Sequence, residues 1–197
     1  MVEVRTIAVI GAGRVGRGIA QVAARGGYRT ILEDLLPNAL RRAESEIRIH
    51  LDRAVESGGV SADVAQAAIS RLEFAGSVQD AARQADLVIE AVPEELESKI
   101  EIFTLLDKIC RPGTILASHL LLLSITEISR ITYRAKKCLG VRFLEPMESE
   151  RLEIIRGQET DDDTIAIAMA VGRRMGKETV VIDDTATQLS ALRKASS

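Results

Sequence analysis

The stretch Val9-Ile10-Gly11-Ala12-Gly13-Arg14-Val15-Gly16 sets Gly-x-Gly-x-x-Gly at the point where an apolar run gives way to a helical pattern. Asp34 closes a second apolar run, Thr30-Ile31-Leu32, about 20 residues further on, the spacing of a dinucleotide-binding unit. Gly11 permits a tight turn, Gly13 lets the backbone approach a pyrophosphate, and Gly16 lets the new helix lie close to the strand. The free N–H groups at that helix start, those of Arg14 and Val15 among them, then face the anion. Asp34 can accept hydrogen bonds from both ribose hydroxyls and repels a 2′-phosphate, and Glu33 beside it adds negative charge with no basic residue to compensate. The pattern therefore points to NAD over NADP. The plainer alternative, a glycine-rich turn with a surface acid, leaves the ordered strand, helix and acid unexplained.

These residues need a scaffold, and the sequence supplies one. Runs rich in Val, Ile and Leu recur at 5–10, 29–33, 86–92, 114–117, 137–143 and 179–182, most of them separated by helical patterns, which predicts an α/β, doubly wound and mainly parallel sheet of the Rossmann type. The first helix runs from about Val15 to Arg25 and stops at Gly26-Gly27. A second begins near Pro37, carries Leu40, Ile47, Leu51 and Ala54 on one face, and ends at Gly58-Gly59. Ser61 to Arg71 reads as its antiparallel partner, so a helical hairpin over about 37–71 interrupts the unit before a short strand at Leu72–Phe74. Glu94–Ile109 is helical, Ser124-Ile-Thr-Glu127 is a capping box, and Thr160–Met175 makes a last crossover helix entered through Asp161, Asp162 and Asp163.

Composition narrows the function classes. The chain has 197 residues with 26 Lys plus Arg against 29 Asp plus Glu, and no basic block forms a nucleic-acid surface. Cys110 and Cys138 stand apart with no Cys-x-x-Cys or Cys/His cluster, which argues against a disulfide framework or a metal site and suits the reducing cytoplasm. The first residues, Met-Val-Glu-Val-Arg, lead straight into a strand and lack the order of a signal peptide, and no membrane span is expected.

At Ala85-Asp-Leu-Val-Ile-Glu-Ala-Val-Pro-Glu94, followed by Leu96 and Lys99, the sequence resembles the NAD-binding domain of L-3-hydroxyacyl-CoA dehydrogenases. The resemblance continues through Ile115-Leu-Ala-Ser118, Ser124-Ile-Thr-Glu-Ile128, Gly140-x-x-Phe143-x-x-Pro146, Leu152-Glu-Ile-Ile-Arg-Gly157 and Gly176-Lys177, covering about residues 5–185. It implies hydride transfer from the 3-hydroxyl of an acyl-CoA to NAD. It also implies that Gly11, Gly13, Arg14, Val15, Gly16, Asp34, Glu94, Lys99 and Ser118 line the cofactor. On the residues alone, Glu94 and Lys99 read equally well as an exposed acid and base at a helix start. The resemblance makes 1–185 the NAD-binding domain and 186–197 a short tail where the family has a C-terminal helical domain. It places His50 and Ser57 where the family's hairpin touches coenzyme A.

The same comparison finds the catalytic positions changed. The family's proton-accepting His corresponds to Arg142, whose guanidinium stays protonated and cannot act as a base. The hydroxyl that binds the substrate oxygen corresponds to Leu121, and Glu145 stands where an Asn belongs. His119 replaces a second Asn, and Ala191 a third further on. Only Glu153, the acid that orients the family's His, remains. Arg142 can either pair with Glu153 or bind a carboxylate or phosphate through its fork. His119 is a substitute base by residue type alone. Leu120–Leu123 reads as a buried loop or as an apolar patch for self-association. Three expectations follow: an NAD-binding domain with impaired or no catalysis, an active dehydrogenase with an unusual site, or an NAD-sensing interaction module.

Overall fold

A computed structural model describes residues 3–144 and 149–184. Its eight strands are β1 (Thr6–Ile10), β2 (Arg29–Glu33), β3 (Leu72–Ala75), β4 (Leu87–Glu90), β5 (Ile115–His119), β6 (Cys138–Phe143), β7 (Arg151–Arg156) and β8 (Glu178–Asp183). They form one sheet in the order β3-β2-β1-β4-β5-β6-β7-β8, parallel throughout except for the antiparallel β6–β7 pair. The strand order reverses between β1 and β4, and the crevice above the carboxyl ends there is where such sheets bind ligands.

The helices are α1 (Arg14–Arg25), α2 (Pro37–Glu56), α3 (Ala62–Ser70), α4 (Val78–Ala82), α5 (Leu96–Ile109), α6 (Ile125–Ser129) and α7 (Asp162–Arg174). The aliphatic strands point alternately to two cores. On one face Ile7, Val9, Leu32, Ile89 and Leu139 meet α1, the α2–α3 hairpin and α7. On the other, Ala8, Ile10, Ile31, Val88 and Leu116 meet α4, α5 and α6. The expected hairpin is present, entered through Pro37 and closed at positive-φ Gly58. Asp161 caps α7 by accepting from the Thr164 N–H at 2.7 Å.

Two elements were not anticipated. Residues 151–156 form a strand whose alternation, with Leu152 and Ile154 buried on one face, is masked in sequence by its charged neighbours. The connection from β6 is too short for a crossover, so β7 must return antiparallel. The short α4, capped by the Ser77 hydroxyl on the Asp80 N–H, bridges β3 to β4 where the sequence shows only a polar gap. Glu145, Ala191 and the tail 186–197 lie outside the described residues.

Gly16 leaves no room for a side chain, since a Cβ there would fall 1.8 Å from the Gly11 carbonyl oxygen. Because the obstacle is backbone, no rotamer relieves it. Replacing Gly16 by Ala is expected to destabilise the protein by about 3 kcal/mol or more, read as a lower urea midpoint at unchanged m-value.

Candidate dinucleotide site

Gly11 has φ +99, and its N–H donates to the Glu33 carbonyl at 2.9 Å, which joins the ends of β1 and β2. Gly13 precedes α1, and the space its side chain would fill is open, with no heavy atom within 4 Å. The first turn of α1 carries no acid, and Gly13 at its N-cap provides no side-chain cap, so the helix starts at the edge of that space. Asp34 sits at the loop's flank, its Oδ2 accepting from the Ala12 N–H at 3.0 Å and its Oδ1 from the Leu36 N–H at 2.9 Å. A bare helix start, an empty position at the middle glycine and a fixed carboxylate beside them fit a pyrophosphate and its ribose. Arg14 and Val15 form the first turn of α1, Val15 packing partly into the core.

Glu33 behaves differently from expectation. It does not add surface charge; it is 2% exposed, and its Oε1 is buried with no hydrogen-bond partner. Burial first, and then the neighbouring Asp34, push its carboxyl up to about 7 against a weaker pull from the Gly11 backbone. Its negative charge is therefore weakened near neutral pH, and selection against a 2′-phosphate falls to Asp34.

Lys99 and Ser118, which the resemblance sets beside the cofactor, are both fully buried. The Lys99 ammonium lies 2.8 and 2.9 Å from the two oxygens of Glu90 and donates to the His119 carbonyl at 3.0 Å. The Ser118 hydroxyl donates to Glu90, which also accepts from the Val92 N–H. Burial raises the Glu90 carboxyl, while Lys99, Ser118 and Val92 draw it back. Lys99 is thus neither an exposed partner of Glu94 nor a surface ligand, but a pin joining α5, β4 and the end of β5. Glu90 is the residue of this cluster that spacing alone does not single out; its signal is an acid closing the apolar run Leu87-Val88-Ile89 with a lysine nine residues on.

Glu94 turns to the leucine loop. Its Oε1 accepts from the N–H groups of Leu121, Leu122 and Leu123 at 2.9, 2.9 and 3.1 Å, and these bonds hold its carboxyl below the usual range against the cost of burial. Arg142 grips the same loop through carbonyls, with Nε on Leu120 at 3.1 Å and Nη2 on Leu121 at 2.8 Å. Its Nη1 meets Glu153 at 2.8 Å across the β6–β7 pair, both side chains being about seven-eighths buried. Of the two roles open to Arg142, the geometry realises the ion pair, and the fork is occupied. Asp184 completes the loop by accepting from the Ser124 hydroxyl and from the Ile125 and Thr126 N–H groups at the start of α6. The four leucines divide: Leu120 is buried, Leu123 half-buried, and Leu121 and Leu122 are 51% and 59% exposed.

His119 ends β5 with Nε2 buried and unpartnered; burial, then Lys99, lower its pKa, so it is neutral at pH 7. His50 and Ser57 line a groove of about 1090 Å³ between α1, the hairpin and the end of α7, which reaches the glycine loop at Arg14 and is shared with Arg17, Arg25, Arg174 and Lys177.

A family profile described as 3-hydroxyacyl-CoA dehydrogenase, NAD binding domain, matches residues 6–185. A probable 3-hydroxybutyryl-CoA dehydrogenase of Bacillus subtilis (strain 168) is 37% identical over 183 residues, 92% of this chain and 63% of that protein. The 3-hydroxyadipyl-CoA dehydrogenase of Escherichia coli (strain K12) is 34% identical over 181 residues, 91% of this chain and 38% of its own length. The crystal structure of a 3-hydroxybutyryl-CoA dehydrogenase from Escherichia coli K12 superposes with TM-score 0.90 at 32% identity, covering 93% of this chain and 39% of the other. An (S)-3-hydroxybutyryl-CoA dehydrogenase from Ralstonia eutropha gives TM-score 0.89 at 30% identity, covering 92% and 64%. The chain spans less than two thirds of the length of the first of these relatives.

Two stability measurements test the buried charges. Lys99→Met leaves Glu90 uncompensated and should cost about 3–5 kcal/mol at neutral pH. The loss should shrink as pH falls and Glu90 takes a proton, read by urea unfolding at pH 5 and 8. For Glu33, an acid raised in the fold from 4.5 to about 7, the folded state binds the proton more tightly, so the cost of ionisation begins above the unfolded value and is complete above the folded one. Glu33→Gln should therefore melt with the wild type near pH 4.5 and several degrees higher at pH 8.5.

Proposed function

The chain belongs to the 3-hydroxyacyl-CoA dehydrogenase family through its NAD-binding domain, and on that premise we propose that it grips NAD while having lost most or all of the family's hydride chemistry. NAD, when bound, supplies the nicotinamide carbon that gives or takes a hydride. The chain's own part at the adenosine end is intact. The α1 N–H groups offer a site for the pyrophosphate, the open position at Gly13 admits it, and Asp34 stands ready for the ribose diol.

The observation that carries the proposal is the state of Arg142. The reaction needs a group that takes the hydroxyl proton as hydride leaves, and at the family's histidine position there is a guanidinium with Nε, Nη1 and Nη2 held by Leu120, Glu153 and Leu121. It has no vacant site for a proton. The oxygen-binding hydroxyl is replaced by the Leu121 side chain, and the Leu121 N–H is already donated to Glu94. A positioned base contributes typically ~10²–10⁴ in rate and an oxyanion donor up to about 4 kcal/mol.

An acyl-CoA is the ligand class proposed for the groove beside α1, where Arg25, His50 and Ser57 face the opening while Arg17 is paired with Glu46, Arg174 with the Gly26 carbonyl and Lys177 with the Ser149 carbonyl. A second reading, an NAD-sensing module that self-associates, draws support from Leu121 and Leu122, two exposed leucines on a loop clamped from both sides. Among the described residues no helix is long and apolar enough to cross a membrane. Two free, buried cysteines are in keeping with a cytoplasmic home.

The deciding assay is NAD reduction with 3-hydroxybutyryl-CoA alongside calorimetric NAD binding. Binding without turnover, at least ~10⁴-fold below an active relative, is expected. Turnover within tenfold of that relative would overturn the proposal, and its loss in His119→Ala would identify the substitute base. Sedimentation with and without NAD tests self-association, which Leu121→Lys should abolish.

A further inference from the structure

We infer that Glu33 is a proton-carrying member of the dinucleotide site, so that binding of NAD takes up a proton onto its carboxyl group. The inference rests on the reading of this crevice as the place of NAD. Glu33 is the last residue of β2, between Ile10 of β1 and Ala75 of β3, and its backbone carbonyl holds the Gly11 N–H. Strand alternation puts its side chain on the face of Ile31, beneath the carboxyl edge on which the glycine loop and Asp34 sit.

The surroundings offer this carboxylate almost nothing. On β1 its register partner is the buried Ile10, and from the loop above only the Gly11 backbone draws its titration down. On β3 the charged neighbour is Glu73, paired with Arg29 at 2.7 Å. On α4 Asp80 bonds to Ser77, and Arg83 lies exposed. The next residue along the chain, just past the end of β2, is Asp34, a like charge that raises its affinity for protons. With one oxygen buried and unpartnered, the free protein holds a carboxylate poised between two states.

A bound dinucleotide moves that balance in one direction. The pyrophosphate adds negative charge at the same loop and competes for its N–H groups. The adenosine excludes water from the crevice edge. Each favours the neutral carboxyl, and the proton comes from solvent: ionised protein, NAD and one proton give the complex.

The test is titration calorimetry of NAD into the full chain at pH 6, 7 and 8 in two buffers of different ionisation enthalpy. Expected are a Kd about tenfold weaker at pH 8 than at pH 6 and uptake approaching one proton per NAD at pH 8. Glu33→Gln, which copies the neutral state, should keep the low-pH affinity at every pH with no buffer-dependent heat. Should that variant fold poorly, Glu33→Met serves the same purpose. A flat wild-type profile overturns the inference, as does a slope that survives in the variants, which would assign the proton elsewhere. Absence of NAD heat at every pH in both proteins overturns the NAD reading itself, and the inference with it, and is distinguishable because no affinity remains to vary.

Discussion

A carboxylate sealed from water must find its countercharge inside the protein, and around Glu90 that requirement organises the crevice. The acid ends β4, its ammonium partner comes from α5, and its third hydrogen bond comes from Ser118 at the end of β5. Because Lys99 also holds the His119 carbonyl, the pair fixes where β5 stops and the leucine loop begins. Breaking one member leaves an uncompensated buried charge, so the elements it joins move as one body or not at all.

The loop that follows shows how one substitution changes what a position does. Glu94 collects its N–H groups, Arg142 collects its carbonyls, and Asp184 caps the helix that leaves it. A histidine at position 142 could exchange protons with a substrate while leaning on Glu153. An arginine there keeps the lean and adds two bonds to the loop, at the expense of exchange. The same acid is thus retained in both arrangements, as an orienting partner in one and as a counterion in the other.

At the other end of the crevice two adjacent acids divide the work by burial. Asp34 reaches the glycine loop and stays available to hydroxyl groups, while Glu33 is turned into the aliphatic layer over α4. Like charges so close cannot both ionise freely, and the one without water yields. A residue that reads from sequence as extra negative potential thereby becomes a neutral or charged group according to pH.

Much of the fold was legible along the chain because aliphatic runs, glycine breaks and capping residues are local signals. Seven strands, the hairpin after Pro37 and the crossover helix behind Asp161 all announce themselves through spacing. So do Gly11 and Gly16, whose positive φ and close backbone approach are local demands that only glycine meets. The strand at 151–156 and the short helix at 78–82 escaped, since their patterns are brief and gain meaning only from the sheet they complete. Partner choice was beyond reach for the same reason. Sequence alone determined that Arg142 is no base and that the glycine loop can grip an anion. Only the tertiary structure decided that Lys99 pairs with Glu90 rather than with Glu94, that Glu33 is buried, and that Arg142 closes on Glu153 and the leucine loop. A charge's partner and its solvation are set by what the folded chain brings beside it, and distance along the sequence carries no record of either.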